Sequence, residues 1–158
     1  MDNLRNFGFL IKDLARLYTR NFERHASELE LTLAQCKALG YLQRNQGISQ
    51  ARLAELTDTG PMTMTRLLTR MDDDGLIERR PDPEDGRAHR LYLTPAAQAK
   101  LEEIWRVSDR ARAETLAGLS GPERAQLMGL LQRVHANLDA LLPGSASAVE
   151  HDHAALNN

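Results

Sequence analysis

Cysteine and lysine are scarce in this chain of 158 residues, and no long apolar run occurs. The single cysteine, Cys36, excludes an internal disulfide framework and suits a reduced compartment. No stretch approaches the roughly 20 apolar residues of a membrane span. The first residues also lack the basic segment and the small-residue cleavage site of a secretory signal. We therefore expect a cytoplasmic protein that has no membrane partner.

Motifs of catalytic and cofactor sites are missing as well. The sequence has no glycine-rich phosphate loop, no H-E-x-x-H pair and no nucleophile elbow. Residues Glu150 to His153 supply metal-ligand side chains, but two histidines in a loose tail rarely form a specific metal site. We expect a protein that is not an enzyme and that needs no metal or cofactor.

The basic residues are mostly arginine. Among 20 basic residues only Lys12, Lys37 and Lys100 are lysines, while the formal net charge is −2. Arginine suits bidentate contacts with phosphate and guanine, although a negative net charge counts mildly against a nucleic-acid partner. A genome's base composition can produce the same arginine excess. The positions of the arginines therefore matter more than their number.

Helical periodicity at both ends of the chain predicts one domain over residues 1–142 and a mobile tail over 143–158. Long helices are expected at about 5–28 and within 95–142. The apolar stripe of the first helix consists of Phe7, Leu10, Ile11, Leu14, Leu17, Tyr18 and Phe22. That of the last helix consists of Leu127, Leu130, Leu131, Val134, Leu138, Leu141 and Leu142.

The middle of the chain carries signals for short helices. Thr32 to Gln35 is a capping box that opens a second helix, and Ser49 can cap a short third helix. Pro61 suits the first turn of a fourth helix, which should end near Gly75 in a left-handed conformation. Three helices close together in sequence are therefore expected before any strand.

A hairpin follows these helices. Residues 76–80 and 90–94 are predicted as two short strands, which must pack on the helices because an isolated hairpin is unstable. Arg87 follows Asp85 and Gly86 at the tip, where an arginine suits a narrow minor groove. Asp85 can fix the tip by accepting hydrogen bonds, or it is simply a solvating turn residue. The sequence predicts a mainly α fold with a small β-hairpin wing.

One face of the fourth helix contains no acid over residues 61–71, and acids begin only at Asp72. Its apolar face consists of Met64, Leu67, Leu68 and Met71. The opposite face and its shoulders consist of Met62, Thr63, Thr65, Arg66, Thr69 and Arg70. Arginine reads guanine edges, and threonine contacts phosphate or the thymine methyl group, so this face suits a major groove. The alternative is a plain amphipathic helix with a solvated face.

Residues 53–93 resemble the winged helix-turn-helix of the MarR family of bacterial transcription regulators. The best-matched segments are 75–79 and 85–94, and the second fits the family's wing signature, Asp-x-Arg followed by a strand that ends Leu-Thr. The resemblance extends over roughly residues 5–142 and is closest to the SlyA branch. It implies a winged helix-turn-helix lobe over about 32–94. It also implies intertwined terminal helices in a homodimer that binds a pseudo-palindromic double-stranded DNA operator.

The resemblance also implies roles for individual residues. Arg87 corresponds to the minor-groove arginine, and Asp85 steadies the wing. Thr63 and Arg66 match the family's Ser-x-x-Arg pair, with threonine in place of serine. The residues expected at the DNA are Ser49, Met62, Thr63, Thr65, Arg66, Thr69, Arg70, Arg87, His89 and Arg90.

The terminal helices favour a homodimer. Phe9 lies off the first stripe and Met128 widens the last one, and helices that are apolar over more than one face need a second partner. Packing within a monomer is the alternative for both helices. The expected function is that of a DNA-binding regulator, a ligand-responsive repressor. The rival is a helical dimeric scaffold that binds proteins and not DNA.

Arg16, Tyr18, His25 and Trp105 are the candidates for an effector pocket. The family often binds small aromatic acids between the dimer helices and the DNA-reading lobe, which implies an effector such as salicylate. Arg16 or His25 would pair with its carboxylate, although His25 also fits a partly buried packing role. Cys36 is either a redox switch or an inert packing residue. Inert packing is expected, because a reactive thiol needs a positive neighbour.

Overall fold

The helices begin where the sequence caps their first free N–H groups. The computed structural model describes residues 3–142, so the predicted mobile tail lies outside the described residues. After a short 3-10 helix at Asn3–Asn6, the helices are α1 (Phe7–His25), α2 (Leu33–Arg44), α3 (Gln50–Thr57), α4 (Pro61–Asp73), α5 (Pro95–Thr115) and α6 (Gly121–Leu141). The strands are β1 (Ile48–Ser49), β2 (Ile77–Pro81) and β3 (His89–Leu93).

The predicted caps of α2 and α3 are confirmed. Thr32 Oγ1 accepts a hydrogen bond from the backbone N–H of Gln35 at 3.2 Å, and Gln35 Oε1 accepts one from the Thr32 N–H at 2.8 Å. Ser49 Oγ accepts one from the Arg52 N–H at 3.1 Å. Each bond satisfies a donor that has no partner within its own helix, which fixes where the helix begins.

The sheet has three strands, so the expectation of a two-stranded hairpin was incomplete. The strand order is β1-β3-β2, both pairs are antiparallel, and Ile48 lies opposite Leu91. Gly47, at a φ of +81°, donates its N–H to the Leu91 carbonyl at 2.8 Å. A Cβ atom on Gly47 would lie 3.0 Å from the Tyr92 hydroxyl. A strand of two residues leaves no periodic signal, since only its pairing with β3 defines it.

The core lies between α2, α3, α4, α5 and the sheet. Its fully buried large side chains are Leu39, Leu42, Leu53, Met64, Leu68, Met71, Ile77, Leu91 and Leu101. Of the apolar face predicted for α4, three residues are buried and Leu67 is partly buried. This packing holds α4 with its opposite face in solvent.

The terminal helices contribute little to this core. Phe22 is the one buried residue of α1, and α6 has no buried residue. Phe9 is 79% exposed and Leu141 is 74% exposed. A single chain therefore leaves the apolar faces of both helices in water. In the part of the chain that the structure describes, no helix is long and apolar enough to cross a membrane.

Candidate nucleic-acid interface

A tight turn joins α3 to α4. Asp58 adopts the left-handed conformation, with a φ of 51°, directly after α3. The Thr59 N–H donates to the Ala54 carbonyl, and the Met64 N–H donates to the Gly60 carbonyl, both at 2.9 Å. The two helices and their turn form a helix-turn-helix, in which α4 is the helix available to a groove.

The polar face of α4 is exposed along its length. All six residues predicted for it are in solvent, and Met62 is 73% exposed. Among residues 3–142 the Arg66 guanidinium has no hydrogen-bond or ion-pair partner, while Arg70 lies 4.0 Å from Asp74. The face therefore presents an unpaired arginine in its middle and a weakly paired one near its end.

The hydroxyl groups of Thr65 and Thr69 are held by the backbone. Each donates to the carbonyl four residues earlier, Thr65 to Pro61 at 3.0 Å and Thr69 to Thr65 at 2.9 Å. Gln50 on α3 donates to Thr65 Oγ1 at 2.7 Å. These bonds fix the two side chains before any ligand arrives, so each offers its methyl group and its remaining lone pairs.

The wing consists of β2, β3 and the loop between them. Arg87 is exposed at its tip, and Asp85 Oδ1 accepts a hydrogen bond from the Arg87 N–H at 3.0 Å. The Asp85 carbonyl accepts another from the Ala88 N–H at 2.9 Å. Asp85 thus bonds to the loop backbone, one of the two arrangements that the sequence left open. His89 is exposed at the start of β3.

A second acid, Asp82, anchors the base of the wing loop. Its carboxylate lies 2.9 Å from Arg90 Nε and accepts the Glu84 N–H at 2.8 Å. The bonds from Arg90 and from the Glu84 N–H hold the pKa of the Asp82 carboxyl below its ordinary value, and the Asp82 carboxylate in turn raises the pKa of Arg90. The sequence did not reveal Asp82, and Arg90, which was expected at the DNA, has its guanidinium paired with this acid. Asp82 lies just beyond the first predicted strand and Arg90 begins the second, and these positions were the signal that could have found this contact.

A cavity of about 520 Å³ lies between α1, α2 and α5. Tyr18 and Trp105, two of the four residues expected at an effector pocket, both line it. Its cationic residues are Lys37 and Arg44 on α2, and no acid is among its lining residues. The Arg44 guanidinium carbon lies 5.7 Å from the centroid of the Trp105 ring, and Trp105 Nε1 donates to Gln43 Oε1 at 2.9 Å.

The structure does not bring the other two predicted pocket residues to this cavity. Arg16 lines a separate depression on α1 and forms an ion pair with Asp13. Two helix positions separate Arg16 from Tyr18, which places them on opposite faces of α1. His25 Nε2 lies 2.9 Å from a Glu114 carboxylate oxygen, about two helical turns beyond Tyr18.

Cys36 also contacts the cavity. The thiol-bearing residue is 4% exposed, and burial raises its pKa to about 11. A thiol with this pKa stays protonated near neutral pH, which favours the packing interpretation over a redox switch.

The fold and this surface define a winged helix-turn-helix DNA-binding protein. A sequence model of the MarR family matches residues 29–88. The transcriptional regulator HosA of Escherichia coli O111:H- is 30% identical over 132 residues, which cover 83% of this chain and 96% of that protein. The transcriptional repressor IacR of Pseudomonas putida is 28% identical over 143 residues, which cover 89% of this chain and 86% of that protein. The chain belongs to the MarR family of transcriptional regulators.

A solved structure agrees with the sequence comparisons. The crystal structure of the transcriptional regulator SlyA is 30% identical, with a TM-score of 0.64, and the match covers 89% of this chain and 96% of that one. The expectations of a mainly α winged-helix fold and of a transcriptional regulator, not an enzyme, are confirmed.

Proposed function

We propose that this protein is a ligand-responsive repressor that binds a pseudo-palindromic DNA operator as a homodimer in the cytoplasm. The exposed polar face of α4, which carries no acid from Pro61 to Met71 and has Arg66 in its middle, is the observation that carries this proposal. Solvated helix faces usually mix both charges, whereas a major groove requires donors without repelling carboxylates.

The proposed DNA contacts divide between α4 and the wing. Arg66 reads a base edge in the major groove, and Thr63 contacts the neighbouring backbone or base. Arg87 inserts into the adjacent minor groove, where the negative potential is concentrated. Ser49, Thr69 and the other exposed residues of this surface hold the register through phosphate contacts. Arg90 contributes indirectly by stabilising the wing loop, because its guanidinium is paired with Asp82.

The terminal helices support the homodimer. Leu130, Leu131, Leu138 and Leu141 on α6 are each at least 41% exposed in one chain, beside the exposed stripe of α1. Apolar patches of this extent mark interfaces, and a two-fold axis would cover the same patch on both chains. Such a dimer can hold its two α4 helices about 34–36 Å apart, one turn of the duplex.

The cavity supports regulation by a small aromatic carboxylate such as salicylate. Tyr18, Tyr41 and Trp105 offer aromatic surface, while Lys37 and Arg44 offer positive charge for the carboxylate. Arg44 thus takes the role that the sequence suggested for Arg16 or His25. A ligand held there releases DNA only if it binds the free dimer more tightly than the DNA complex. IacR is named a repressor, which supports the proposed sign of regulation.

Selection of bound duplexes from a random pool tests this function. We expect enrichment of an inverted repeat whose half-sites lie about one helical turn apart. Arg66→Ala should lose the enrichment at one base pair of each half-site. Binding that shows no enrichment would contradict sequence-specific recognition, and no DNA binding at low salt would favour the protein-binding scaffold.

A further inference from the structure

Lys37 connects the wall of the cavity to the helix-turn-helix. It lies on α2 among the residues that line the cavity. Its Nζ donates to the carbonyl oxygen of Thr57, 20 residues along the chain, at 2.6 Å. One side chain thus reaches from the cavity to the last residue of α3.

The Thr57 carbonyl oxygen is a favourable hydrogen-bond acceptor for a cation. The last carbonyls of a helix lack partners within it and carry the negative end of the helix dipole. Thr57 is buried, and its hydroxyl donates to the Leu53 carbonyl at 2.8 Å. The next residue, Asp58, reverses the chain in the left-handed conformation. Lys37 therefore caps α3 where the turn to α4 begins.

The turn that Lys37 braces determines how α4 is presented. The Thr59 N–H closes the turn on the Ala54 carbonyl, and Gln50 on α3 holds Thr65 on α4. Loss of the cap would leave the Thr57 carbonyl with the longer bond from Thr59 Oγ1, at 3.3 Å. The turn would then keep its path but lose a charged anchor.

An anion in the cavity would compete for the same ammonium group. The lining contains no carboxylate, so Lys37 has no anionic partner there when the cavity is empty. Its bond to Thr57 is an ion–dipole contact, whereas a carboxylate adds the attraction of a full opposite charge. The flexible four-carbon stem of lysine allows the head group to move between the two acceptors.

We propose that Lys37 is the positioning residue through which a carboxylate in the cavity weakens DNA binding, because the carboxylate draws Lys37 from the Thr57 carbonyl and loosens the turn before α4. This inference rests on the proposed function for its ligand and its DNA. The bond to Thr57 is independent of both.

The first test needs no ligand. In full-length Lys37→Met, we expect hydrogen exchange of the Asp58 and Thr59 amides to accelerate. Affinity for the selected duplex should fall about two- to fivefold, as expected for a lost cation at a helix end, while the salt slope stays unchanged. Lys37→Arg should restore the slow amide exchange and the affinity for the duplex. Lys100→Met on α5 is the matched control and should change neither. Wild-type amide exchange in Lys37→Met would overturn the proposal, and a reduced salt slope would make Lys37 a phosphate contact instead.

The second test uses salicylate as the probe. Trp105 is the single tryptophan of the chain, so its indole N–H resonance reports cavity occupancy. In the wild type, occupancy should accelerate exchange at Asp58 and Thr59 and weaken duplex binding. In Lys37→Met, occupancy should change neither quantity further. Equal weakening of duplex binding in both proteins would overturn the proposal.

Failures of the two proposals are distinguishable. No shift of the Trp105 resonance at millimolar salicylate overturns the effector class and the release step together, while the amide exchange of Lys37→Met still decides the bond to Thr57. If the random pool yields no bound duplex, the proposed function fails. The same exchange measurement still tests whether the bond from Lys37 to Thr57 stabilises the turn before α4.

Discussion

Arg90 and Asp82 join the two sides of the wing loop, with Nε of the arginine 2.9 Å from Oδ2 of the aspartate. Asp82 also accepts the Glu84 N–H, so a single carboxylate orders the start of the loop and pairs with the strand that leaves it. Asp82 lies beside the proposed DNA surface, and its structural role there is to hold the wing loop in place.

Asp82→Ala should weaken operator binding even though it removes a negative charge. The wing loop loses its anchor, so the amides of residue 82 and of residues 84–88 should exchange faster while helix content stays unchanged. Glu84→Ala is the matched control, because it removes an exposed acid from the same loop and should leave affinity unchanged or raise it. If both variants bind more tightly, simple charge repulsion governs the loop and the anchor does not matter.

The wing should keep its order through neutral pH and lose it only in acid. The bond from Arg90 holds the pKa of Asp82 below its ordinary value of 3.8. A depressed carboxyl pKa stabilises the folded state fully above the unfolded pKa, and this contribution disappears as pH falls through the folded pKa. The shift of the Asp82 carboxyl carbon should therefore stay constant from about pH 5 to 8. A transition of this carbon within that range would contradict a depressed pKa at Asp82.

Arg66→Ala should reduce discrimination more than general affinity. If Arg66 reads a base edge, its loss should cost about 1–3 kcal/mol at one position of each half-site. Binding to the operator, to a duplex mutated at that position and to random duplex separates the two effects. Arg70→Ala, on the same helix but close to Asp74, is the control and should keep discrimination. A parallel fall in specific and non-specific affinity would make Arg66 a phosphate contact.

Local signals in the sequence predicted the helices well. Thr32 and Ser49 mark helix starts through their caps, and the apolar face of α4 follows from periodicity alone. Contacts between distant residues were not predictable in the same way. β1 is defined only by its pairing with β3. His25 contacts Glu114, which lies 89 positions further along the chain. The cavity's cations were missed because they lie on α2, and no local pattern shows which helix faces α1 and α5.

Leu138→Glu should dissociate the proposed dimer. Leu138 is 53% exposed in one chain, and burying a leucine contributes about 1.5–3 kcal/mol, which a symmetric dimer loses twice. Sedimentation should give a monomer, or a dimer only at high concentration. Ala136→Glu places the same charge on the opposite face of α6 and should leave the dimer intact. Dimers of equal stability in both variants would refute this interface.

Arg44→Met should weaken salicylate binding by about 1.5–3 kcal/mol, the range of a hydrogen bond to a charged group. Arg16→Met is the matched control, because Arg16 lies outside the cavity and should leave binding unchanged. Calorimetry on free protein and on its operator complex adds a thermodynamic check. The ligand must bind the complex more weakly by the same factor by which it weakens DNA binding. Equal affinity for both would exclude regulation by this ligand.

DNA reading by α4 and the wing is tested most directly by the salt dependence of operator binding in Arg87→Ala. Arg87 is exposed at the wing tip, and Asp85 fixes its backbone. Arg106→Ala on α5 removes an exposed arginine away from the proposed interface and serves as control. We predict that Arg87→Ala costs about 1–3 kcal/mol and lowers the slope of log affinity against log salt by about one, with dimer and helix content unchanged. Wild-type affinity and slope in Arg87→Ala at moderate salt would contradict DNA binding through the wing.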